Sequence, residues 1–185
     1  MGGGPSAVLW DMDGTLVDSE KVWTVSLTEA ARALGGPLST GARQAIIGSN
    51  LPRTLRIMFD DLGLAAEPDR LAQARQLILD RTGELFADGL RWRPGARDAL
   101  RAVTQAGWPT ALVTNTGRAL TELALDGIGR EHFTVTVCGD EVAHGKPDPD
   151  PYLRAAELLG VDAGGCLAVE DSPTGALSAA RAGAA

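Results

Sequence analysis

The chain has 185 residues, of which 44% are hydrophobic and 22% are charged, a composition typical of one soluble globular domain or of one domain with an insertion. Its formal net charge is −7 and it holds no run of Lys or Arg, so we expect no nucleic-acid partner, because an acidic surface repels phosphate backbones. No apolar run approaches the ~20 residues that cross a bilayer, and no signal segment is evident, so we expect no membrane association and a cytoplasmic location.

Short apolar runs alternate with helical patterns over much of the chain. The runs predict strands at 7–10, 110–113, 134–137 and 166–169. Helical patterns bounded by glycine or proline lie at 95–106, 149–159 and 173–183. The first, second and fourth runs are almost continuously apolar, which is typical of parallel strands covered on both faces. The pattern therefore predicts an α/β fold with a Rossmann-like, doubly wound parallel sheet.

The segment 17–92 breaks this alternation, because it contains no convincing strand. Its helical patterns lie at 19–34, 39–47, 51–62 and 68–86. These helices could be ordinary crossovers of one sheet, but four without an intervening strand favour an insertion. We therefore predict an α/β core at 1–16 and 93–185 and an all-helical module at 17–92, called the helical insertion below. The chain stops just after the last helix, where the alternation predicts another strand, so we expect a core truncated at its C-terminus.

Polar segments follow or adjoin the predicted strand ends, where ligands bind in open α/β sheets. They lie at 11–15, 114–117, 145–148 and 170–173. Each segment alone has an ordinary explanation as a polar turn, a helix cap or a solvated lysine. Together they combine crowded carboxylates, which favour a hard cation such as Mg²⁺, with a lysine and amide-rich loops that suit a phosphate. This combination is typical of phosphoryl transfer.

The spacing of the first polar segment suggests different roles for its two aspartates. Asp11 is the first residue after the strand, and a carboxylate there can attack phosphorus. Asp13 lies across the turn and can protonate a leaving oxygen and later deprotonate water. Gly14 lets the chain turn sharply beside a ligand.

The two cysteines, Cys138 and Cys166, lie inside apolar segments and have no CxxC spacing. We expect two buried thiols rather than a disulfide or a zinc site. The two histidines are too few for a histidine-rich metal cluster.

Four motifs carry a resemblance that spans residues 7–184. They read DMDGTLVDSE, VTNTGR, GKPDPDPY and VEDSPTGALSAARAG. In this order they resemble the haloacid dehalogenase-like hydrolase superfamily, and within it the phosphoglycolate phosphatase and β-phosphoglucomutase-like group with a helical cap. The resemblance implies a phosphoric monoester hydrolase in which the helical insertion closes over the site.

The resemblance also implies roles for individual residues. It assigns the nucleophile to Asp11, the general acid/base to Asp13 and the balancing positive charge to Lys146. It implies a Mg²⁺ ion held by Asp11, the main-chain oxygen of Asp13, Glu170 and Asp171. The implied contacts with phosphate are Thr114, Asn115, Gly14 and Ser172. In the helical insertion, residues 48–50 and Arg53 lie where related proteins place substrate contacts, and Arg53 could meet a second anionic or hydroxylated group.

The second aspartate of DxDG favours an alcohol leaving group, since a halide would need no proton. We therefore expect hydrolysis of a small phosphorylated metabolite, of the sugar phosphate or phosphoglycolate type, through an aspartyl-phosphate intermediate. A sugar phosphomutase of the β-phosphoglucomutase type is the alternative, but such enzymes often carry a histidine near 20–23, where this chain has none. A non-catalytic phospholigand-binding protein or a receiver domain is disfavoured by the complete motifs and the insertion. The chain is expected to be a monomer or a dimer.

Overall fold

A parallel sheet forms the centre of the α/β core. The computed structural model describes residues 4–47 and 49–185. Its strands are β1 (Ala7–Trp10), β2 (Thr110–Val113), β3 (Val135–Val137) and β4 (Cys166–Val169). They are ordered β3-β2-β1-β4, and every pairing is parallel. The predicted α/β fold is confirmed, and the strands match the predicted runs except that β3 begins one residue later.

Alternate residues of the strands supply two hydrophobic clusters, one on each face of the sheet, as the period of two requires. The helices that cover them are α5 (Ala96–Gln105), α6 (Arg118–Ile128), α7 (Asp150–Leu159) and α8 (Pro173–Ala182). Val8 and Trp10 pack with residues of α5 and α6, whereas Ala7 and Leu9 pack with residues of α7 and α8. The sheet is therefore covered on both faces, as its apolar strands predict.

Helix α6 is absent from the elements predicted above, although it is a regular helix of 11 residues. Its pattern contains Gly127 and stops at Gly129, and glycine weakens a helical pattern. Leu120 and Leu125 are buried against the sheet. Tertiary packing therefore stabilises a helix that local propensity describes poorly.

Four helices lie between β1 and α5, with bounds within one or two residues of the predicted ones. They are α1 (Glu20–Leu34), α2 (Thr40–Ile46), α3 (Leu51–Asp61) and α4 (Pro68–Ala87). Their inward faces form a third hydrophobic cluster that includes Met58, Phe59 and Ile78, all fully buried. Ser39 and Asn50 cap α2 and α3 through side-chain oxygens. The helical insertion therefore has a hydrophobic cluster of its own.

The two connections of the helical insertion run side by side. Asp18 N donates to Arg91 O at 2.7 Å, and Arg93 N donates to Leu16 O at 2.8 Å. Between these bonds, Val17 and Trp92 form an antiparallel bridge. The chain therefore leaves and re-enters the core through one short two-stranded ribbon.

The outer edge of β4 is partly paired. Ala185 N donates to Cys166 O at 3.0 Å, and Ala168 N donates to Ala185 O at 2.8 Å. Leu167, between these two positions, is 42% exposed, so this edge is less covered than β1 or β2, whose residues are all buried.

Two further expectations concern cysteines and membrane spans. Cys138 and Cys166 are both buried and free, as predicted. Among the helices of the described ranges, none combines the length and the apolar character that crossing a membrane requires. The helices instead bury their apolar faces against the sheet or against one another.

Candidate active site

Polar residues converge at the carboxyl edge of the sheet. Asp11 follows β1, Thr114 follows β2 and Glu170 follows β4. The ladder extends into this edge, since Asp11 N donates to Val169 O and Thr114 N to Val137 O, each at 3.0 Å. Parallel pairing therefore brings three of the predicted motifs to one place.

Lys146 lies at the centre of this cluster with only 5% of its surface exposed. Its Nζ lies 2.7 Å from Asp11 Oδ1 and 2.8 Å from Val113 O, and it also bonds Glu170 Oε1. An ammonium has three donors, and all three are used. Burial by itself lowers the pKa of Lys146, but the carboxylates of Asp11 and Glu170 outweigh burial and raise it. The lysine is therefore held as a fixed positive charge beside the predicted nucleophile.

Tyr152 contacts both Lys146 and Glu170 of this ion-pair cluster. Its ring is fully buried, with the Lys146 ammonium 5.1 Å from the ring centroid. Its hydroxyl donates to Glu170 Oε1 at 2.6 Å. Burial, together with the Glu170 charge, raises the pKa of the phenol, so it remains a donor. Tyr152 ends the GKPDPDPY motif, but the sequence pattern did not predict a role for it.

The carboxylates of Asp11, Glu170 and Asp171 form an acidic cluster. One oxygen from each lies within 4.8 Å of the others. Burial raises the pKa of Asp11 to about 7, with Lys146 opposing the shift and Glu170 adding to it. Burial and the neighbouring Glu170 also raise the pKa of Asp171. When all three carboxylates are ionised, the single ammonium leaves two negative charges uncompensated, so the cluster fits a divalent cation that prefers oxygen ligands and stabilises the ionised forms.

Two glycines leave room for the acidic cluster. Gly14 has φ +88°, and a Cβ there would lie 2.2 Å from Asp171 Oδ2. A Cβ at Gly175 would lie 2.0 Å from the Glu170 carboxylate. Ser172 connects Glu170 to the first turn of α8. Its hydroxyl accepts from Gly175 N at 3.0 Å and donates to Glu170 Oε2 at 3.3 Å. Its observed contacts are thus with the carboxylate and with the start of α8, and its predicted contact with phosphate stays a prediction.

The carboxylate of Asp13 lies apart from the acidic cluster and accepts four hydrogen bonds. Oδ1 accepts from Ser19 Oγ at 2.6 Å and from Trp23 Nε1 at 3.0 Å. Oδ2 accepts from Thr116 Oγ1 at 2.8 Å and from Thr114 Oγ1 at 3.2 Å. Three of these donors, those of Ser19, Trp23 and Thr116, were not predicted. A cation contact of Asp13 would therefore use its main-chain oxygen, as the resemblance implies.

Asn115 fixes the loop that carries Lys146. Its side-chain oxygen accepts from Lys146 N at 2.8 Å, and its Nδ2 donates to Lys146 O at 3.2 Å. A Cβ at Gly145 would lie 2.7 Å from Asn115 Oδ1, so this close approach needs a glycine. The predicted phosphate contact of Asn115 stays a prediction, since both ends of its amide bond the loop.

Residues of the helical insertion also approach this edge. Asn50 caps α3 by accepting from Arg53 N at 3.0 Å, and its Nδ2 lies 3.7 Å from the position of a Gly145 Cβ. Arg53 is exposed on α3, and within the described ranges no hydrogen bond or ion pair joins its side chain to the acidic cluster. Gly48, in the predicted substrate region, lies outside the described residues.

Known proteins resemble this chain in sequence and in fold. A family model described as haloacid dehalogenase-like hydrolase matches residues 5–183. A phosphorylated carbohydrates phosphatase of Thermotoga maritima is 32% identical over 181 residues, covering 96% of this chain and 81% of the relative. A plasmid phosphoglycolate phosphatase of Cupriavidus necator is 35% identical over 184 residues, covering 96% and 78%. The structure of a CbbY mutant from Rhodobacter sphaeroides with xylulose-(1,5)bisphosphate is similar at a TM-score of 0.86 and 28% identity, covering 97% of this chain and 84% of that one.

Proposed function

The chain belongs to the haloacid dehalogenase-like hydrolase family, and we propose that it is a phosphatase of small phosphorylated metabolites that works through an aspartyl phosphate on Asp11. The observation that carries this proposal is the buried contact of Lys146 Nζ with Asp11 Oδ1 and Glu170 Oε1. It supports the proposal because a carboxylate that can attack phosphorus, a positive charge that can meet an incoming phosphate and an acidic cluster lie together at one sheet edge. The two relatives named as phosphatases support the same reaction class.

The first step transfers the phosphoryl group to the enzyme. A carboxylate oxygen of Asp11 attacks phosphorus, and the bond between phosphorus and the ester oxygen breaks with its electron pair on that oxygen. Asp13 gives a proton to the departing oxygen, which leaves as an alcohol. Lys146 and the hydroxyl of Thr114 stabilise the charge on the transferring group.

The second step returns the enzyme to its starting state. Asp13, now ionised, takes a proton from water, and the resulting hydroxide attacks phosphorus of the aspartyl phosphate. The bond between phosphorus and Asp11 breaks, so inorganic phosphate and the Asp11 carboxylate are released. Asp13 thus acts as the general acid in the first step and, once it has lost its proton, as the general base in the second.

The acidic cluster would hold Mg²⁺. Asp11, Glu170 and Asp171 supply its carboxylate ligands, and the main-chain oxygen of Asp13 would add a fourth. The cation would supply positive charge that offsets the repulsion between the nucleophile and the phosphate. Lys146 and Tyr152 fix the orientation of Glu170, which would be one of the ligands, through the bonds described above.

The helical insertion would act as a cap that excludes water and selects the substrate. The ribbon at Val17 and Trp92 gives it one attachment to the core, and Asn50 faces the loop that carries Lys146. An exposed guanidinium at Arg53, in the first turn of α3, suits a second anionic or hydroxylated group on the substrate. Phosphoglycolate and sugar phosphates are therefore the first substrates to screen, a choice supported by the names of the relatives.

The test is phosphate release from phosphoglycolate, sugar phosphates and nucleotides, with and without Mg²⁺. We expect Mg²⁺-dependent release from at least one ester and loss of turnover in Asp11→Asn. Asp98→Asn, which neutralises an exposed carboxylate on α5, is the matched control and should keep full activity. Wild-type turnover in Asp11→Asn would exclude Asp11 as the nucleophile. Inactivity of the wild type on every ester with Mg²⁺ present would contradict the phosphatase assignment.

A further inference from the structure

We propose that Trp23 is a positioning residue for Asp13, which ties the orientation of the general acid to helix α1 of the helical insertion. The inference rests on the proposed function and concerns its first step. It starts from the bond between Trp23 Nε1 and Asp13 Oδ1, a contact that bridges the insertion and the sheet core.

The Asp13 carboxylate is held from two sides. The donors to Oδ2, Thr114 and Thr116, belong to the segment that follows β2, whereas the donors to Oδ1, Ser19 and Trp23, lie at and beyond the start of α1. Each carboxylate oxygen has about two lone-pair sites, so four donors fill the ionised group. When Asp13 carries the proton for the leaving group, the 3.2 Å bond from Thr114 is the one given up, because that hydroxyl then donates to the transferring phosphoryl group. Rotation of the Asp13 carboxylate therefore breaks hydrogen bonds to the segment after β2, to the start of α1, or to both.

Trp23 is well suited to hold this orientation because its own ring is fixed. It packs edge-on against Phe86 of α4, with ring centroids 6.3 Å apart and planes at 78°. It contacts both the hydrophobic cluster of the sheet and that of the insertion. The indole N–H only donates, so Trp23 neither gives nor takes a proton and acts on the direction of Asp13 alone.

The role of Asp13 depends on the leaving group, and this dependence gives the inference a specific signature. An alkyl ester leaves as an alcohol and needs the proton of a correctly placed Asp13. p-Nitrophenyl phosphate leaves as a phenolate whose charge is delocalised into the ring, so it departs without that proton. An incorrectly placed Asp13 therefore slows the first reaction and hardly changes the second.

The experiment compares kcat/KM for both esters in Trp23→Phe, which keeps an aromatic ring and removes the N–H. The ratio kcat/KM covers only the steps up to the phosphorylated enzyme, so slow release of phosphate does not mask the difference. We expect kcat/KM for an alkyl phosphate to fall ~10- to 100-fold, within the range of general acid catalysis, while that for p-nitrophenyl phosphate changes by less than ~3-fold.

Two further variants separate position from packing. Ser19→Ala removes the other donor to Asp13 Oδ1 and should show the same selective loss. Phe86→Leu disturbs the packing of the indole but keeps its N–H, so any loss should be equal for the two esters. Trp108→Phe, at a partly exposed site outside the described network, should leave both esters unchanged.

The outcomes are distinct. Equal loss on both esters in Trp23→Phe would show a packing role only, and an unchanged kcat/KM for both would show no role; either result overturns the inference while the phosphatase activity stands. A wild type that is inactive on both esters overturns the proposed function, and the inference with it.

Discussion

The hydroxyl of Tyr152 donates to Glu170 Oε1 across 2.6 Å, and the same oxygen accepts from Lys146. Two donors therefore hold Glu170 through the same carboxylate oxygen. Residues that orient a metal ligand in this way strengthen metal binding without touching the ion.

Tyr152→Phe should weaken Mg²⁺ binding about 10-fold or more, because it removes the hydroxyl that orients Glu170 and keeps the buried ring. Isothermal titration with Mg²⁺ measures the effect directly, without a substrate. Thermal unfolding of the metal-free protein serves as the control, and it should show only a modest loss, since packing is conserved. Unchanged Mg²⁺ affinity would mean that the hydroxyl does not support the cation site.

Gly175→Ala should also disturb Glu170, through a steric clash rather than through the loss of a hydrogen bond. Its Cβ would lie 2.0 Å from the Glu170 carboxylate, so that carboxylate must leave its present position beside Lys146. We expect a marked loss of both Mg²⁺ affinity and turnover in a protein that still folds. Gly127→Ala is the matched control, because a Cβ at this helical glycine meets nothing within 4 Å and alanine favours helix. Equal behaviour of the two variants would contradict the prediction.

The pKa of Asp11 predicts a pH-dependent cost to stability in the metal-free protein. Burial raises this pKa from 3.8 to about 7, so the folded state binds the proton more tightly than the unfolded state does. Stability from this group is fully present below pH 3.8 and is lost as pH rises through about 7. Asp11→Asn lacks this titration, so its advantage in Tm over the wild type should grow from pH 4 to pH 7, by ~5 °C or more.

Measurement of Tm against pH with a chelator present tests this expectation. Mg²⁺ provides the second arm, because a cation beside Asp11 favours its ionised form and should reduce the slope in the wild type. A Tm difference that stays constant over this pH range would show that Asp11 does not titrate there.

Arg53→Ala should raise KM for substrates with a second anionic group and leave it unchanged for p-nitrophenyl phosphate. The reason is that Arg53 lies in the first turn of α3, next to Asn50, which faces the loop that carries Lys146. Arg56→Ala, three residues further along the same helix and also exposed, is the control. Identical kinetics of the two variants would identify Arg53 as a surface residue without a substrate contact.

The strand-end residues could be predicted from the sequence because parallel pairing fixes where strands end. Asp11, Thr114 and Glu170 each follow an apolar run directly, so finding the runs places the residues. The helices of the insertion were equally accessible, since glycines and cap residues mark their ends. Helix α6 was missed because its burial against the sheet, rather than its local pattern, stabilises it.

The residues that orient the site could not be found in this way. Trp23, Thr116 and Tyr152 act through hydrogen bonds whose geometry depends on tertiary packing. Thr116 is separated from Asp13 by 103 residues, and no local pattern distinguishes its hydroxyl from any other in a loop. Tyr152 is the one tyrosine of the chain, yet only the fold shows that its hydroxyl meets Glu170.

The ribbon formed by Val17 and Trp92 has a consequence for how this molecule can change over evolution. Because the chain departs from the sheet and returns to it at neighbouring points, the intervening residues can lengthen, shorten or be replaced without shifting the register of β1 against β2. Under the proposed function, the residues that select the ester can therefore change while Ser19, Trp23 and the strand-end residues stay the same. A chimaera that exchanges residues 18–91 for those of a relative, but retains Ser19 and Trp23, should keep the chemistry and acquire the relative's choice of ester.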